Sequence, residues 1–167
     1  TQGVKFRSYN SATATFAEEL GMIPVQVEAA ELAQALATGV ASSFISSGST
    51  GYDQKVWEHL SHYYKVNAWL PRNYVVANKQ GWDALDADVQ AGVMKAATET
   101  AASCAAKAEE LSDFYFAELE KNGITVTDAS PELLKELETI GAKMTAEWLE
   151  TAGADGQAIL DAYKAAN

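Results

Sequence analysis

The chain has 167 residues, 48% of them hydrophobic, enough to bury a real core in one domain or in parts of two. Its formal net charge is −11, which argues against nucleic acid as a partner, because phosphate contact needs clustered Lys and Arg; anionic headgroups are disfavoured for the same reason. The one cysteine, Cys104, excludes an intrachain disulfide and a cysteine-based zinc site, and its alanine-rich helical surroundings predict a small buried thiol.

Residues 3 to 50 read as strand, helix, strand, helix, strand. Gly3-Val4-Lys5-Phe6-Arg7 is the first strand, followed by polar Ser8-Tyr9-Asn10-Ser11. A helical pattern then places Ala12, Phe16 and Leu20 near one face and closes at Gly21. Met22 to Val27 is a short apolar strand. The next helix runs from about Glu28 to Thr38 and stops at Gly39, the residue type expected just past a helix end. A third strand, Val40 to Ser47, empties into the loop Gly48-Ser49-Thr50-Gly51. Strands alternating with short helices predict an α/β fold built from parallel βαβ units.

In open parallel sheets, small ligands sit beyond the carboxyl ends of the strands. Arg7, Asn10, Ser46 and Ser47 all fall at such ends. An arginine there holds a carboxylate through two parallel N–H···O bonds, which a lysine point charge cannot reproduce. The alternative is a surface arginine paired with a neighbouring glutamate. Since the net charge repels an anionic ligand, binding one requires a local cation, and Arg7 would have to supply it.

Beyond Gly51, a short helix is expected over Tyr52 to His62. His59 and His62 stand i, i+3, but no third zinc ligand accompanies them. Tyr63, Tyr64, Val66 and Trp69 form an extended aromatic stretch up to Pro71, where a break is expected. Asn73 to Asn78 reads as another strand. From Gly81 the pattern is helical to Asn122-Gly123, giving a helix of roughly 35 residues, long for a compact domain. Ala, Thr and Ser at most seam positions make it a poor coiled coil; a bent helix crossing between two lobes would explain its length. Ile124 to Thr127 is a short strand. Ser130, Pro131 and Glu132 then open a final helix that breaks at Gly153, and Gly156 precedes a last amphipathic segment. No apolar run approaches the roughly 18 residues of a membrane-spanning helix.

No constellation for bond chemistry emerges. Ser47-Gly48-Ser49-Thr50-Gly51 lacks the first glycine of a nucleophile elbow, no Gly-Lys-Ser/Thr follows these glycines, and no G-x-G-x-x-G opens the first helix. Glu18-Glu19 and Glu109-Glu110 are expected on solvated helix faces. No cofactor is called for.

The order of motifs resembles one family. Gly3-Val4-Lys5-Phe6-Arg7, then Gly21-Met22-Ile23-Pro24, then Glu31 with Ala35-Leu36 and Gly39-Val40 are similar to the second half of DctP-type solute-binding proteins of tripartite ATP-independent periplasmic (TRAP) transporters. Their pattern is G-x-K-x-R, a later G-A-x-P, and E-x-x-x-A-L with a small turn before the third strand. The strand near Tyr74, the long helix and the Asn122 to Val126 exit agree, so the resemblance covers essentially the whole chain. Each motif alone is loose; their order and spacing together are fairly specific.

The resemblance implies a periplasmic protein, not an enzyme, with a two-lobed periplasmic-binding-protein-like α/β fold. Its lobes would close by a hinge around a small organic acid, which is then delivered to the TRAP permease in the membrane. It places the carboxylate-binding arginine on Arg7, a second polar contact on Asn10, a third on Ser46 or Ser47, and a returning-strand contact on Asn73. Trp69 is added as an aromatic wall. Ser42-Ser43 stands where the family usually has Asp-Gly. The serines at 46 and 47 replace an asparagine of sialic-acid members, which suits a smaller or less polar acid. The chain starts two residues before a strand, and family members are roughly twice its length, so it reads as a C-terminal portion whose N-terminal half lies elsewhere. In that expectation residues 1–72 and 113–167 belong to lobe II, and 73–112 complete lobe I with the start of a lobe-bridging helix. Two readings from other classes are an enzyme of small carboxylic acids on a doubly wound fold and a helical interaction module using residues 86–122.

Overall fold

The computed structural model describes residues 2–69 and 73–166. Its organising element is a parallel three-stranded sheet in which β1 (Lys5–Ser8) lies between β2 (Ile23–Gln26) and β3 (Ser43–Phe44). Phe6 pairs with Pro24 on one side and Ser43 on the other; Arg7 pairs with Val25 and Phe44. Pro24, which has no N–H to donate, is tolerated because β2 is an edge strand among the described residues.

α1 (Ser11–Glu19) connects β1 to β2. Asn10 caps it: its side chain accepts from the Thr13 backbone N–H at 2.9 Å, while the Thr13 hydroxyl accepts from the Asn10 N–H at 3.2 Å. This reciprocal pair satisfies donors that the first helical turn cannot. The β2–β3 crossover contains a short 3-10 turn (Ala29–Glu31) and α2 (Leu32–Ala37) rather than one continuous helix. β3 is shorter than Val40 to Ser47. The Ala41 N–H bonds back to Ala35, closing α2, and Ser47 already caps the next helix.

The chain forms two compact units. The first comprises Thr1–Ile45, His62–Ala68 and Thr127–Asn167. Its core joins Phe6, Phe16, Ala17 and Leu137, with Leu20, Met22, Ile140 and Met144 packed around them. Leu137 comes from α6 (Pro131–Ala166), which Ser130 caps through the Leu133 N–H at 3.2 Å. Gly153 interrupts α6 with φ 59° and ψ −142°, where the break was expected. Lys143 on α6 also reaches Glu19 on α1 at 2.6 Å. β4 (His62–Lys65) pairs with β5 (Thr125–Asp128), whose second half lies in the same unit.

The second unit comprises Ser46–Ser61 and Trp69–Val126. It contains α3 (Gly48–Asp53), α4 (Lys79–Asp83) and the 35-residue α5 (Ala87–Lys121). The glycine- and serine-rich run expected as a loop is therefore helical, and the structure shows why. A Cβ on Gly51 would lie 3.4 Å from the Leu119 and Val56 side chains, and one on Gly48 only 3.2 Å from Tyr115 Cβ. The missing side chains let α3 pack closely on α5, and tertiary packing overrides glycine's poor helix propensity. Residues 46–61 and 113–126 belong with α5 to this unit. α5 lies wholly in this unit.

Three expectations need correction. Tyr52 to His62 is not one short helix: α3 ends at Asp53 and a 3-10 turn follows at Val56–Glu58. Residues 73–78 form no strand, and Tyr74, Val75 and Val76 are 77%, 105% and 86% exposed. A strand exists only by pairing, and no partner is present for them among the described residues. Cys104 is exposed rather than buried, because this stretch of α5 packs against little else in the unit. The break expected at Pro71 lies outside the described residues.

Phe16 fills the centre of the first unit's core, tilted against Phe6 at 6.1 Å. Phe16→Ala is expected to destabilise the complete protein by about 3–5 kcal/mol in urea unfolding, from lost burial plus the cavity left behind. A loss below about 1 kcal/mol would show that this core does not carry the fold.

Candidate functional site

Alternation along β1 puts Phe6 and Arg7 on opposite faces of the sheet, with Phe6 turned into the apolar core. Arg7 is nonetheless only 3% exposed. Its Nε donates to the Val27 carbonyl at 2.8 Å, just past the end of β2, and its guanidinium carbon lies 5.1 Å from the centre of the Tyr9 ring. No carboxylate forms an ion pair with it among the described residues. The alternative of a surface arginine paired with a glutamate is thus not what the structure contains. Burial lowers the Arg7 pKa, while nearby Glu28 and Tyr9 oppose that shift; an arginine remains charged regardless.

The terminal nitrogens of Arg7 are the decisive atoms. Neither has a hydrogen-bond partner among the described residues, yet no polar side-chain atom there is both sealed from water and unpartnered. Both nitrogens therefore keep an opening to solvent. Arg7 is thus a mostly buried cation at the carboxyl ends of β1 and β2 whose two terminal nitrogens are open to solvent and have no hydrogen-bond partner among the described residues.

Asn10 is exposed, and its side-chain oxygen is occupied in capping α1, with its amide N–H groups left over. Arg7 and Asn10 both lie in the first unit. Ser46, Ser47, Trp69 and Asn73 lie in the second. Ser47 caps α3, bonds to Ser49 Oγ at 2.7 Å, and lines a surface depression with Lys107, Leu111 and Tyr115. Ser46 and Trp69 are half-buried and Asn73 is exposed. His62 stacks on Tyr64, and no group of three or more His, Cys, Asp or Glu side chains suited to a metal occurs among the described residues.

Sequence reasoning did not single out Tyr9, Thr13 or the Val27 carbonyl. Thr13 was legible in principle, since Asn followed three residues later by a hydroxyl-bearing side chain is a variant of the capping box. The Val27 carbonyl had no signal, because a backbone acceptor carries no residue identity.

The chain matches the family model of bacterial extracellular solute-binding protein, family 7 (DctP), over residues 1–151. Among solved structures it is similar to a marine-metagenome TRAP solute-binding protein specific for pyroglutamate and crystallised with co-purified pyroglutamate. That similarity is 71% identity at a TM-score of 0.95, over 98% of this chain and 54% of that one. A Bordetella pertussis extracytoplasmic solute receptor binding pyroglutamic acid is 44% identical, with the same TM-score and coverage. The C4-dicarboxylate-binding periplasmic protein of Rhodobacter capsulatus is 37% identical over 81 residues, 48% of this chain and 24% of that protein. The chain thus spans about half the length of these solved relatives. The expected α/β fold and the DctP resemblance agree with these findings, and the relatives are solute-binding proteins rather than enzymes.

Removing the cap separates a structural role for Asn10 from a binding one. Asn10→Ala is expected to lower stability by about 0.5–2 kcal/mol in urea unfolding, whereas Asn10→Asp, which keeps the accepting oxygen, is expected to preserve it. Equal loss in both variants would contradict the capping role.

Proposed function

Since the chain belongs to family 7 of the bacterial extracellular solute-binding proteins, we propose that the complete protein captures a small organic acid in the periplasm and hands it to a TRAP permease in the membrane. Pyroglutamate is the first candidate. It is a compact lactam with a single carboxylate, and the 71% and 44% identical relatives bind it.

The observation that carries this reading is the pair of open terminal nitrogens on buried Arg7. Because Nε is engaged by Val27, the ligand carboxylate meets the two terminal nitrogens end-on rather than along the Nε edge. The Asn10 amide is a proposed second contact. Ser46, Ser47 and Asn73 are proposed contacts on the strength of the resemblance, and Trp69 is proposed in addition as an aromatic wall. The preference for a smaller acid inferred from the two serines agrees with a lactam of this size.

Each charge-assisted hydrogen bond contributes about 1.5–3 kcal/mol, so losing one weakens binding roughly 10- to 150-fold. Arg7→Lys keeps the charge but loses the fork. Titration calorimetry on the complete protein is expected to show pyroglutamate binding weakened at least about tenfold in this variant. Unchanged affinity would remove Arg7 from the site. A wild-type protein that binds neither pyroglutamate nor any other small organic acid would overturn the function itself.

A further inference from the structure

A buried guanidinium needs something to stabilise its charge before a ligand arrives. A neighbouring carboxylate would do this at the expense of binding, because it would take the same N–H donors that the ligand requires. An aromatic face attracts the cation through its quadrupole and leaves every donor in the guanidinium plane free. Here exposed Glu28 acts on Arg7 only at longer range, with no ion pair between them among the described residues, so it takes none of the N–H donors, while the Tyr9 ring lies 5.1 Å from the guanidinium carbon.

We propose that Tyr9 is a positioning residue for acid capture, its ring serving as the platform that fixes the plane of the Arg7 guanidinium. The proposal rests on the reading of Arg7 as the carboxylate-binding group. The hydrogen bond from Nε to Val27 anchors one edge of the guanidinium but leaves it free to tilt about that bond. A ring with the guanidinium carbon over it limits that tilt, so both terminal nitrogens present themselves together to a planar carboxylate. Tyr9 is itself held in place. Its backbone N–H donates to the Thr13 hydroxyl at 3.1 Å, and Thr13 is fully buried at the start of α1. Rigidity thus passes from the helix cap to the Tyr9 backbone, to its ring and to the cation. Preorganisation of this kind raises affinity by reducing the ordering required when ligand binds.

The test is a substitution series at Tyr9 in the complete protein. It comprises Tyr9→Phe, phenylalanines carrying successively more ring fluorines, and Tyr9→Leu. Pyroglutamate affinity is read by calorimetry, alongside the melting temperature without ligand. Tyr9→Phe is expected to retain the affinity, and stepwise fluorination, which drains the ring face at nearly constant shape, to lower it progressively. Tyr9→Leu is expected to lose roughly 2- to 30-fold. The ligand-free melting temperature of the fluorinated proteins should match that of Tyr9→Phe, which keeps the comparison valid even if Tyr9→Leu folds poorly. Affinity that stays flat along the fluorinated series, while the wild type binds pyroglutamate, would overturn the role of Tyr9 alone. So would Tyr9→Phe falling as far as Tyr9→Leu, since the hydroxyl rather than the ring would then matter. Loss of binding in the wild type itself would overturn the carboxylate-binding reading and this proposal with it.

Discussion

A guanidinium largely withdrawn from bulk water, with one donor engaged by the protein and its terminal nitrogens open only to the solvent at its mouth, gains most from an anion that completes it. Arg7 is held in that condition by its position. It is on the central strand of a parallel sheet, and that strand is paired on both sides, so the Arg7 backbone cannot drift toward solvent. Its Nε is committed to a carbonyl just beyond the neighbouring strand. What remains open to solvent is the pair of nitrogens that a carboxylate matches in shape and charge.

The rest of the first unit supports that placement. Phe6, one residue earlier, turns to the opposite face and packs with Phe16 and Leu137, so the burial of the core fixes the register in which Arg7 faces away from it. α1 begins immediately after the site, and its cap organises the loop on which Tyr9 and Asn10 stand. Charge acts at a different range. The net charge of −11 opposes an incoming acid, but charges separated by more than about 8 Å are largely screened at physiological salt. One local cation in a partly desolvated setting therefore outweighs many distant carboxylates.

Much of this was legible in the residues, and the limits have physical causes. Alternating apolar runs with glycines at 21 and 39 read correctly as a parallel βαβ arrangement, because helix ends and strand ends carry local chemistry. Arg7 stood out because a strand-end arginine in an acidic chain needs a reason. Val40 to Ser47 was read as too long a strand, since apolar content alone does not say which residues find a pairing partner. Gly48 to Gly51 was read as a loop, since the helix there depends on how closely α5 approaches. Tyr74-Val75-Val76 has strand character and no strand among the described residues, the sheet partner being a property of another segment. The platform under Arg7 was hidden for a similar reason: a ring two residues away in sequence reveals its role only when the intervening backbone turns it under the cation.

The most direct measurement is a crystal structure of the complete protein with pyroglutamate bound. Both terminal nitrogens of Arg7 should lie within hydrogen-bond distance of the two carboxylate oxygens, with Nε still on the Val27 carbonyl. A trapped acid held elsewhere, with the Arg7 guanidinium turned to solvent or paired to a protein carboxylate, would contradict the role given to this residue.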